Sequence, residues 1–299
     1  MAKSKPYIRV AGDWLQEHIG HISASEVSAI FGKGFYGPID LARRKKEEIA
    51  TGKIEDKQVA LWDMGHALEP VIAKYFLLAT QANGIALTMD KGFDKDVLFR
   101  SKSNPLFQVT PDRLLNKRTS LAELKYDSGG SYYYKSPNDF KINEGYLFQV
   151  QYQLMVMGME KGYLTSMNNR GDLWYMEVYA SDKIKSLFEE RVPEFWEQSV
   201  VGDKEPDCLT VEDTKICKIL NEPIVAVEEI KDAITRLNEM ELQMKVLKNN
   251  IGYDDKENGF EALKDKVKVF MGHNDQLLDE DGNELATYKG DKRRMFKLK

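Results

Sequence analysis

Apolar residues recur at helical spacing in some stretches of the chain and alternate with polar residues in others. From about residue 7 to 80 the pattern is helical. Ser23 with Glu26 three positions later has the form of a capping box. Val27, Ile30 and Phe31 supply an apolar face behind it, and Gly32 provides a stop. A longer helix is predicted over residues 62–79, where Leu68, Ile72, Tyr75 and Phe76 recur at helical spacing. Residues 84–89, 97–100, 107–111 and 121–126 read as short strands. A polar loop (127–143) leads to a helix at 144–157, strands at 162–167 and 173–179, and a helix at 182–200. That last helix carries Ile184, Leu187, Phe188, Val192, Phe195 and Trp196, and Pro193 is placed to kink it.

Gly202-Asp203-Lys204-Glu205-Pro206-Asp207 is the best boundary, polar and broken by Gly and Pro. It separates an expected domain at 1–205 from an appendage at 206–299. In the appendage, 225–251 reads as a long amphipathic helix. Ile230, Ile234, Leu237, Met244, Leu247 and Ile251 form a seam that Glu241 breaks. Packing on the main domain or in a helical hairpin suits it better than a coiled coil, which needs about four clean heptads. Asp279-Glu280-Asp281-Gly282-Asn283 reads as a hairpin turn. The tail from Lys289 to Lys299 is strongly basic, and is either solvated or in contact with phosphate.

The chain has 299 residues, 42% hydrophobic and 30% charged, the balance of a folded soluble protein. It contains no apolar run long enough to cross a membrane, and the first residues lack the apolar stretch of a secretory signal. Two cysteines, Cys208 and Cys217, exclude a disulfide-built scaffold and a four-cysteine metal site from one chain. A reducing cytoplasm with two structural thiols is the expectation. His18, His21, His66 and His273 show no HExxH or paired-ligand spacing, so any metal is expected on oxygen atoms. The net charge of −5 does not exclude a nucleic-acid enzyme, because charge can be segregated and acids can serve a metal.

The chemistry concentrates in Thr110-Pro111-Asp112-Arg113 and Leu121-Ala122-Glu123-Leu124-Lys125-Tyr126. Glu123 and Lys125 lie two apart on a predicted strand and share a face. Burying both unpaired would cost several kcal/mol, which a cation near Glu123 would offset. If the two runs are neighbouring strands, Asp112 and Glu123 converge. Two carboxylates, a backbone carbonyl and waters suit Mg²⁺, and Lys125 would then orient or deprotonate an attacking water. The plain alternative is a surface ion pair. Glu69, on an upstream helix, is a third acid that can bind a second ion or hold a metal water; otherwise it is an exposed glutamate. Tyr146 and Gln149 share a face of the 144–157 helix and suggest a lined site, though Gln149 and Gln151 also fit a helix surface.

The ordered series Ser-Ala-Ser-Glu (23–26), Gly-His-Ala-Leu-Glu-Pro (65–70), Thr-Pro-Asp-Arg, Glu-Leu-Lys, Tyr-Leu-Phe-Gln-Val-Gln-Tyr-Gln (146–153) and Val-Pro-Glu-Phe-Trp (192–196) resembles the YqaJ-type viral recombinase and lambda exonuclease family of PD-(D/E)xK nucleases. The likeness covers roughly residues 15–200. It implies an α/β (α+β) fold with a restriction-endonuclease-like core: a central mixed sheet flanked by helices, here with the C-terminal helical and hairpin appendage. It implies an exodeoxyribonuclease dependent on Mg²⁺, with Mn²⁺ able to substitute. By match, Asp112, Glu123 and the Leu124 carbonyl bind metal, Lys125 acts on the water and Glu69 assists. Gln149 and Tyr146 line the site, and Thr110 stands near the scissile or terminal phosphate. The implied substrate is the end of duplex DNA, resected 5′ to 3′ to leave a 3′ overhang. The implied partner is a single-strand annealing protein, the implied assembly a ring trimer, and the implied setting the cytoplasm of a phage- or prophage-bearing bacterium.

Two departures stand out. Glu26 occupies a position where the family's prototype uses a basic residue to grip a 5′ phosphate. That leaves the helix N-terminus, Ser23, Ser25 and Lys33 as phosphate-binding candidates. Arg113 stands where glycine is frequent. The appendage lies outside the likeness. Two other readings stay open: a structure-selective or site-specific endonuclease of the same fold, and a catalytically inactive DNA-binding or assembly module. Gly32-Lys33-Gly34-Phe35-Tyr36-Gly37 matches GxGxxG but follows a helix, so a turn is expected and not a dinucleotide site. Tyr132, Tyr133 and Tyr134 with Lys135 are candidates for stacking on DNA.

Overall fold

A computed structural model describes residues 5–10, 14–54, 56–91, 97–127, 143–218, 223–246, 260–289 and 295–298. The chain forms two compact units: Met1–Phe35 with Arg43–Gly202, and Tyr36–Ala42 with Asp203–Lys299. In chain order, the first holds β1 (Tyr7–Arg9), α1 (Trp14–His18), α2 (Val27–Ile30), most of α3 (Pro38–Thr51), α4 (Asp56–Ala82), β2 (Phe99–Ser101), β3 (Gln108–Val109), β4 (Arg113–Leu115), β5 (Ser120–Asp127), α5 (Glu144–Met157), β6 (Lys161–Asn168), β7 (Leu173–Tyr179) and α6 (Asp182–Phe195). A π-helical turn, Trp196–Val201, follows α6. Tyr132, Tyr133, Tyr134 and Lys135 lie outside the described residues.

The mixed sheet flanked by helices is present. Its order is β4-β5-β6-β7, with β5 and β6 parallel and both outer pairs antiparallel. Parallel strands need a crossover, and α5 supplies it. Asn143 caps α5 by accepting the Gly145 N–H at 2.7 Å, and Gly158, at φ 61°, ends it. On one face of the sheet, Ala122, Leu124, Tyr163 and Met167 pack on Ile72, Ala73 and Phe76 of α4. The other residues of β5, Glu123 and Lys125, must therefore face the opposite side. A separate three-stranded sheet runs β1-β2-β3.

The β4–β5 hairpin sets the site. Its turn holds Asn116, Lys117 and Arg118 at φ 52°, 59° and 64°, left-handed backbone that side chains resist. Asp90 makes it possible by accepting the N–H groups of Lys117 and Arg118 at 2.8 and 2.5 Å, while Asn116 Oδ1 accepts from Thr88 N. The resulting register pairs Arg113 with Ala122 and places Asp112 beside Leu124.

Several expectations are corrected. Residues 84–89 form no strand; Met89 makes a single bridge to Leu115, and β4 takes the pairing position. Tyr75 is 52% exposed, although Ile72 and Phe76 are buried as the periodicity requires. Ser23 does not cap α2. One half of the expected box forms: Glu26 Oε2 accepts the Ser23 backbone N–H at 2.8 Å, but the Ser23 hydroxyl also donates to Oε2, at 2.8 Å, and Oε1 pairs with the buried Lys45 at 2.6 Å. Pro193 lies inside α6 without ending it; the widening to π geometry comes after Phe195.

The second unit holds α7 (Val211–Ile216), β8 (Pro223–Val225), α8 (Glu228–Val246), α9 (Phe260–Met271), β9 (Gln276–Leu278), β10 (Glu284–Lys289) and β11 (Met295–Leu298). The expected long helix is thus preceded by a strand, and 247–251 lie outside the described residues. Its sheet runs β11-β10-β9-β8, so part of the basic tail is an ordered strand. Ile230, Ile234 and Leu237 of α8 pack with Leu263, Val267 and Met271 of α9. The hairpin turn forms at Asp279–Asn283, where Asp279 N donates to Asn283 O at 2.9 Å. Buried Asp213 accepts from Ile39 N, Leu209 N, Thr210 N and Thr210 Oγ1. Gly37 packs so closely on it that a Cβ there would lie 1.8 Å from Asp213 Oδ2. Among the described residues, no helix is long and apolar enough to cross a membrane.

The hairpin turn generates a stability prediction. Lys117→Gly relieves one left-handed side-chain position and is expected to raise stability by about 1 kcal/mol in chemical denaturation. A loss of stability would contradict the assigned turn geometry.

Candidate active site

Glu123 is 1% exposed on β5. Its Oε1 meets Lys125 Nζ at 2.6 Å and accepts from Gln149 Nε2 at 2.6 Å; its Oε2 accepts from Gln153 Nε2 at 2.6 Å. The period of the strand puts Glu123 and Lys125 on one face, and the i, i+4 spacing of α5 puts Gln149 and Gln153 over them. Tyr146, one turn earlier, places its ring 4.8 Å from Lys125 Nζ. This is a cation–π contact that shields the ammonium. Phe35 lies edge-on to the same ring at 6.0 Å.

Asp112 ends the connection from β3. Its Oδ2 accepts the Leu124 N–H at 2.6 Å. Burial and the negative charges of Glu123 and Glu69 hold its carboxyl well above the usual carboxylate range, against the opposing pull of Lys125. Burial works against the Lys125 ammonium, but Glu123 and Asp112 outweigh it and raise its pKa. Lys125 is therefore a held cation.

Glu69 is engaged elsewhere. Its Oε2 meets Arg113 Nη1 at 2.9 Å and its Oε1 lies 3.9 Å from His66 Nε2. Arg113 also donates to the Asp112 carbonyl. Burial raises the Glu69 pKa, with Arg113 opposing. The oxygens of Glu69, Asp112 and Glu123 are not all within 4.8 Å of one another. Arg113, the departure noted in the sequence, is the direct partner of Glu69, whose charge still raises the pKa of Asp112.

Thr110 Oγ1, two residues before Asp112, is buried and finds no hydrogen-bond partner among the described residues. The remaining candidates belong to other networks. Ser23 Oγ lies 3.1 Å from Ser25 Oγ and donates to Glu26. Glu26 is bound in turn to Lys45, which is 1% exposed and also pairs with Glu48 at 2.9 Å. Burial disfavours the charge on Glu26, but Lys45 prevails and lowers its pKa. Lys33 pairs with Glu144 at 2.6 Å, at the start of α5. Gln151 is not on the site; it donates to Tyr179 O at 2.7 Å and accepts from Ser181 N. Gln153 is the site residue that motif reading missed; its signal was the four-residue spacing from Gln149.

The donor set fits a hard divalent cation. Asp112, Glu123 and the Leu124 carbonyl offer only oxygen, and Asp112 is pushed toward its protonated form first by burial and then by the charges of Glu123 and Glu69.

The sign of that shift sets a pH dependence. Folded Asp112 keeps its proton to higher pH than the unfolded chain does, so the metal-free fold loses stability as pH rises through the Asp112 pKa. Asp112→Asn is expected to flatten that dependence and raise Tm at neutral pH. A neutral-pH drop in Tm would contradict it.

Residues 13–160 match the YqaJ-like viral recombinase domain. Among solved structures, the chain is similar to an alkaline exonuclease, LHK-Exo, from Laribacter hongkongensis, at 19% identity and TM-score 0.48, over 63% of this chain and 92% of that one. It is also similar to a phage-related exonuclease from Haemophilus somnus 129PT, at 13% identity and TM-score 0.44, over 60% and 95%. No curated protein matches the chain.

Proposed function

We propose, from the membership of residues 13–160 in the YqaJ-like viral recombinase domain family, that this chain is a metal-dependent deoxyribonuclease that resects duplex DNA from its ends. The observation that carries the reading is the buried Glu123 joined to Lys125 at 2.6 Å, with Asp112 held beside it through the Leu124 N–H. A purely structural ion pair does not require a second buried acid beside it, and Asp112 is one, its pKa raised by burial and then by Glu123 and Glu69.

Asp112, Glu123 and the Leu124 carbonyl would hold the cation, Mg²⁺ or Mn²⁺ by their oxygen chemistry. Bound there, it would supply Lewis acidity toward the phosphodiester and a more acidic water. The protein's own groups do the rest. Asp112 must give up its proton to ligate. Lys125, kept charged by its carboxylate neighbours, donates toward an attacking water or a phosphoryl oxygen; it does not accept the water's proton. Gln149 and Gln153 fix both oxygens of Glu123, which keeps the carboxylate from turning away. Tyr146 limits the sweep of the Lys125 stem. Thr110 Oγ1 is a donor in reserve for a phosphate oxygen. Glu69 acts through Arg113. By family resemblance the cut proceeds 5′ to 3′ and leaves a 3′ strand for an annealing protein. Ser23 and Ser25, tied to Glu26, have a smaller part in phosphate binding than the resemblance implies, and Lys33 must leave Glu144 to take one.

The test is digestion of linear and covalently closed duplex with Mg²⁺, with label at either 5′ or 3′ ends. Nucleotide release from linear DNA alone, stopped by EDTA, is the expected outcome. Nicking of closed circles would instead favour an endonuclease, and binding without cleavage an inactive module. Glu123→Gln and Lys125→Ala are each expected to lower the rate by at least about a hundredfold, the scale of removing one preorganised electrostatic contact. Full activity in either variant would reject the site.

A further inference from the structure

We propose that Cys208, Cys217 and His273 in the second unit form a binding site for a thiophilic divalent cation, Zn²⁺ by its chemistry. One ligand atom from each lies within 4.8 Å of the other two. Neither cysteine is in a disulfide. Two sulfurs and an imidazole are the donors that select zinc over magnesium, and three protein ligands leave the fourth corner of a tetrahedron to water. The site shares no residue with the nuclease reading and stands or falls apart from it.

The surrounding fold builds this arrangement. The two cysteines flank α7: Cys208 lies just before its cap and Cys217 is the residue that ends it. Asp213 fixes the loop that carries Cys208, accepting from Leu209 N at 3.1 Å and Thr210 N at 3.0 Å. The N–H of Cys217 donates to Asp213 O at 2.8 Å. His273 arrives from α9 through Gly272, whose φ of 50° turns the chain back. The Cβ that Gly272 lacks would sit 3.5 Å from Cys208 Cβ, so the turn lies directly against that cysteine.

The imidazole is held from one side by the backbone. His273 Nδ1 lies 2.6 Å from Lys218 O, which assigns its proton to that nitrogen and leaves Nε2 with a lone pair to offer. Glu205 Oε2, 3.6 Å from Nδ1, supports the same orientation. Glu205 is itself held by Lys218 N at 2.8 Å. The Cys217 thiol donates to Gly272 O at 3.5 Å and to Thr214 O at 3.8 Å. As each sulfur bonds the cation, its proton passes to solvent. The bound ion would tie the start of α7, its end and the exit of α9 together.

The full chain, reduced and stripped of metal, is titrated with Co²⁺. The expected result is a thiolate-to-cobalt charge-transfer band that saturates at one equivalent and is bleached by Zn²⁺. Cys217→Ser and His273→Ala are expected to lose or weaken it, while Asp112→Asn keeps it. In the unsubstituted protein, which avoids any folding defect, Zn²⁺ is expected to slow alkylation of both thiols and release protons. No band from a folded wild-type chain, equal alkylation with and without Zn²⁺, or a Cys208–Cys217 disulfide that forms with Zn²⁺ present would each overturn the proposal.

Discussion

The first unit is organised by the need to give one buried carboxyl group its partners. Glu123 is 1% exposed, and a carboxylate removed from water that far must be matched by donors on nearly every lone pair. The topology provides them. Because β5 and β6 run parallel, a helix has to cross over the sheet, and α5 does so on the face that carries Glu123 and Lys125. The opposite face is committed to the apolar packing of α4. Gln149 and Gln153 therefore meet Glu123, and the strand contributes Lys125. The two glutamines are neutral, so Lys125 is the full charge in direct contact with the carboxylate. Burial, with the charges of Glu123 and Glu69, leaves the Asp112 carboxyl under pressure to keep its proton, against the pull of Lys125.

What the sequence disclosed follows the range over which each interaction acts. The Glu123–Lys125 pair was legible because strand alternation is strictly local. The bounds of α5 were legible because its cap, Asn143, and its stop, Gly158, are chain neighbours of the helix. The short strand β4 was hidden because the turn after it uses Asn116, Lys117 and Arg118 in a conformation that normally announces itself with glycine. The device that permits it, Asp90, lies 27 residues away from Lys117. The capping box at Ser23 formed by half. Glu26 accepts the Ser23 N–H as its spacing predicts, while the Ser23 hydroxyl turns to the same carboxylate and the buried Lys45 of α3, far along the chain, holds its other oxygen. Arg113 was seen as a departure, yet its hold on Glu69 required the fold. His273 lies 56 positions beyond Cys217, and no local spacing connects them.

The two units present donor sets of opposite character. The strands of the first bring together carboxylate and carbonyl oxygen, which suit small, hard, partly hydrated cations. The second brings together sulfur and imidazole, which such cations avoid. The supports differ in the same way. In the first unit a charged lysine and neutral amides keep a carboxylate in place. In the second, Asp213 spends its acceptor capacity on backbone N–H groups that shape the loop around a cysteine. Each site therefore carries a built-in preference, set by donor type before any question of affinity arises.

The charge arithmetic around Glu123 also bears on how a polyanion could approach. Glu69, Asp112 and Glu123 face Lys125 and Arg113, and Arg113 is already engaged with Glu69. A phosphodiester brought to this surface alone meets more negative charge than positive. Asp112 can relieve part of that by keeping its proton, but a protonated carboxyl cannot ligate a cation. A divalent ion held by Asp112 and Glu123, as proposed, would ease both conflicts: Asp112 would ligate as a carboxylate, and the incoming phosphate would meet a positive centre. Under that proposal cation and DNA would favour each other's binding by the same factor, since linkage between two binding free energies is reciprocal. The raised pKa of Asp112, set first by burial and then by the charges of Glu123 and Glu69, is what a bound cation would have to reverse.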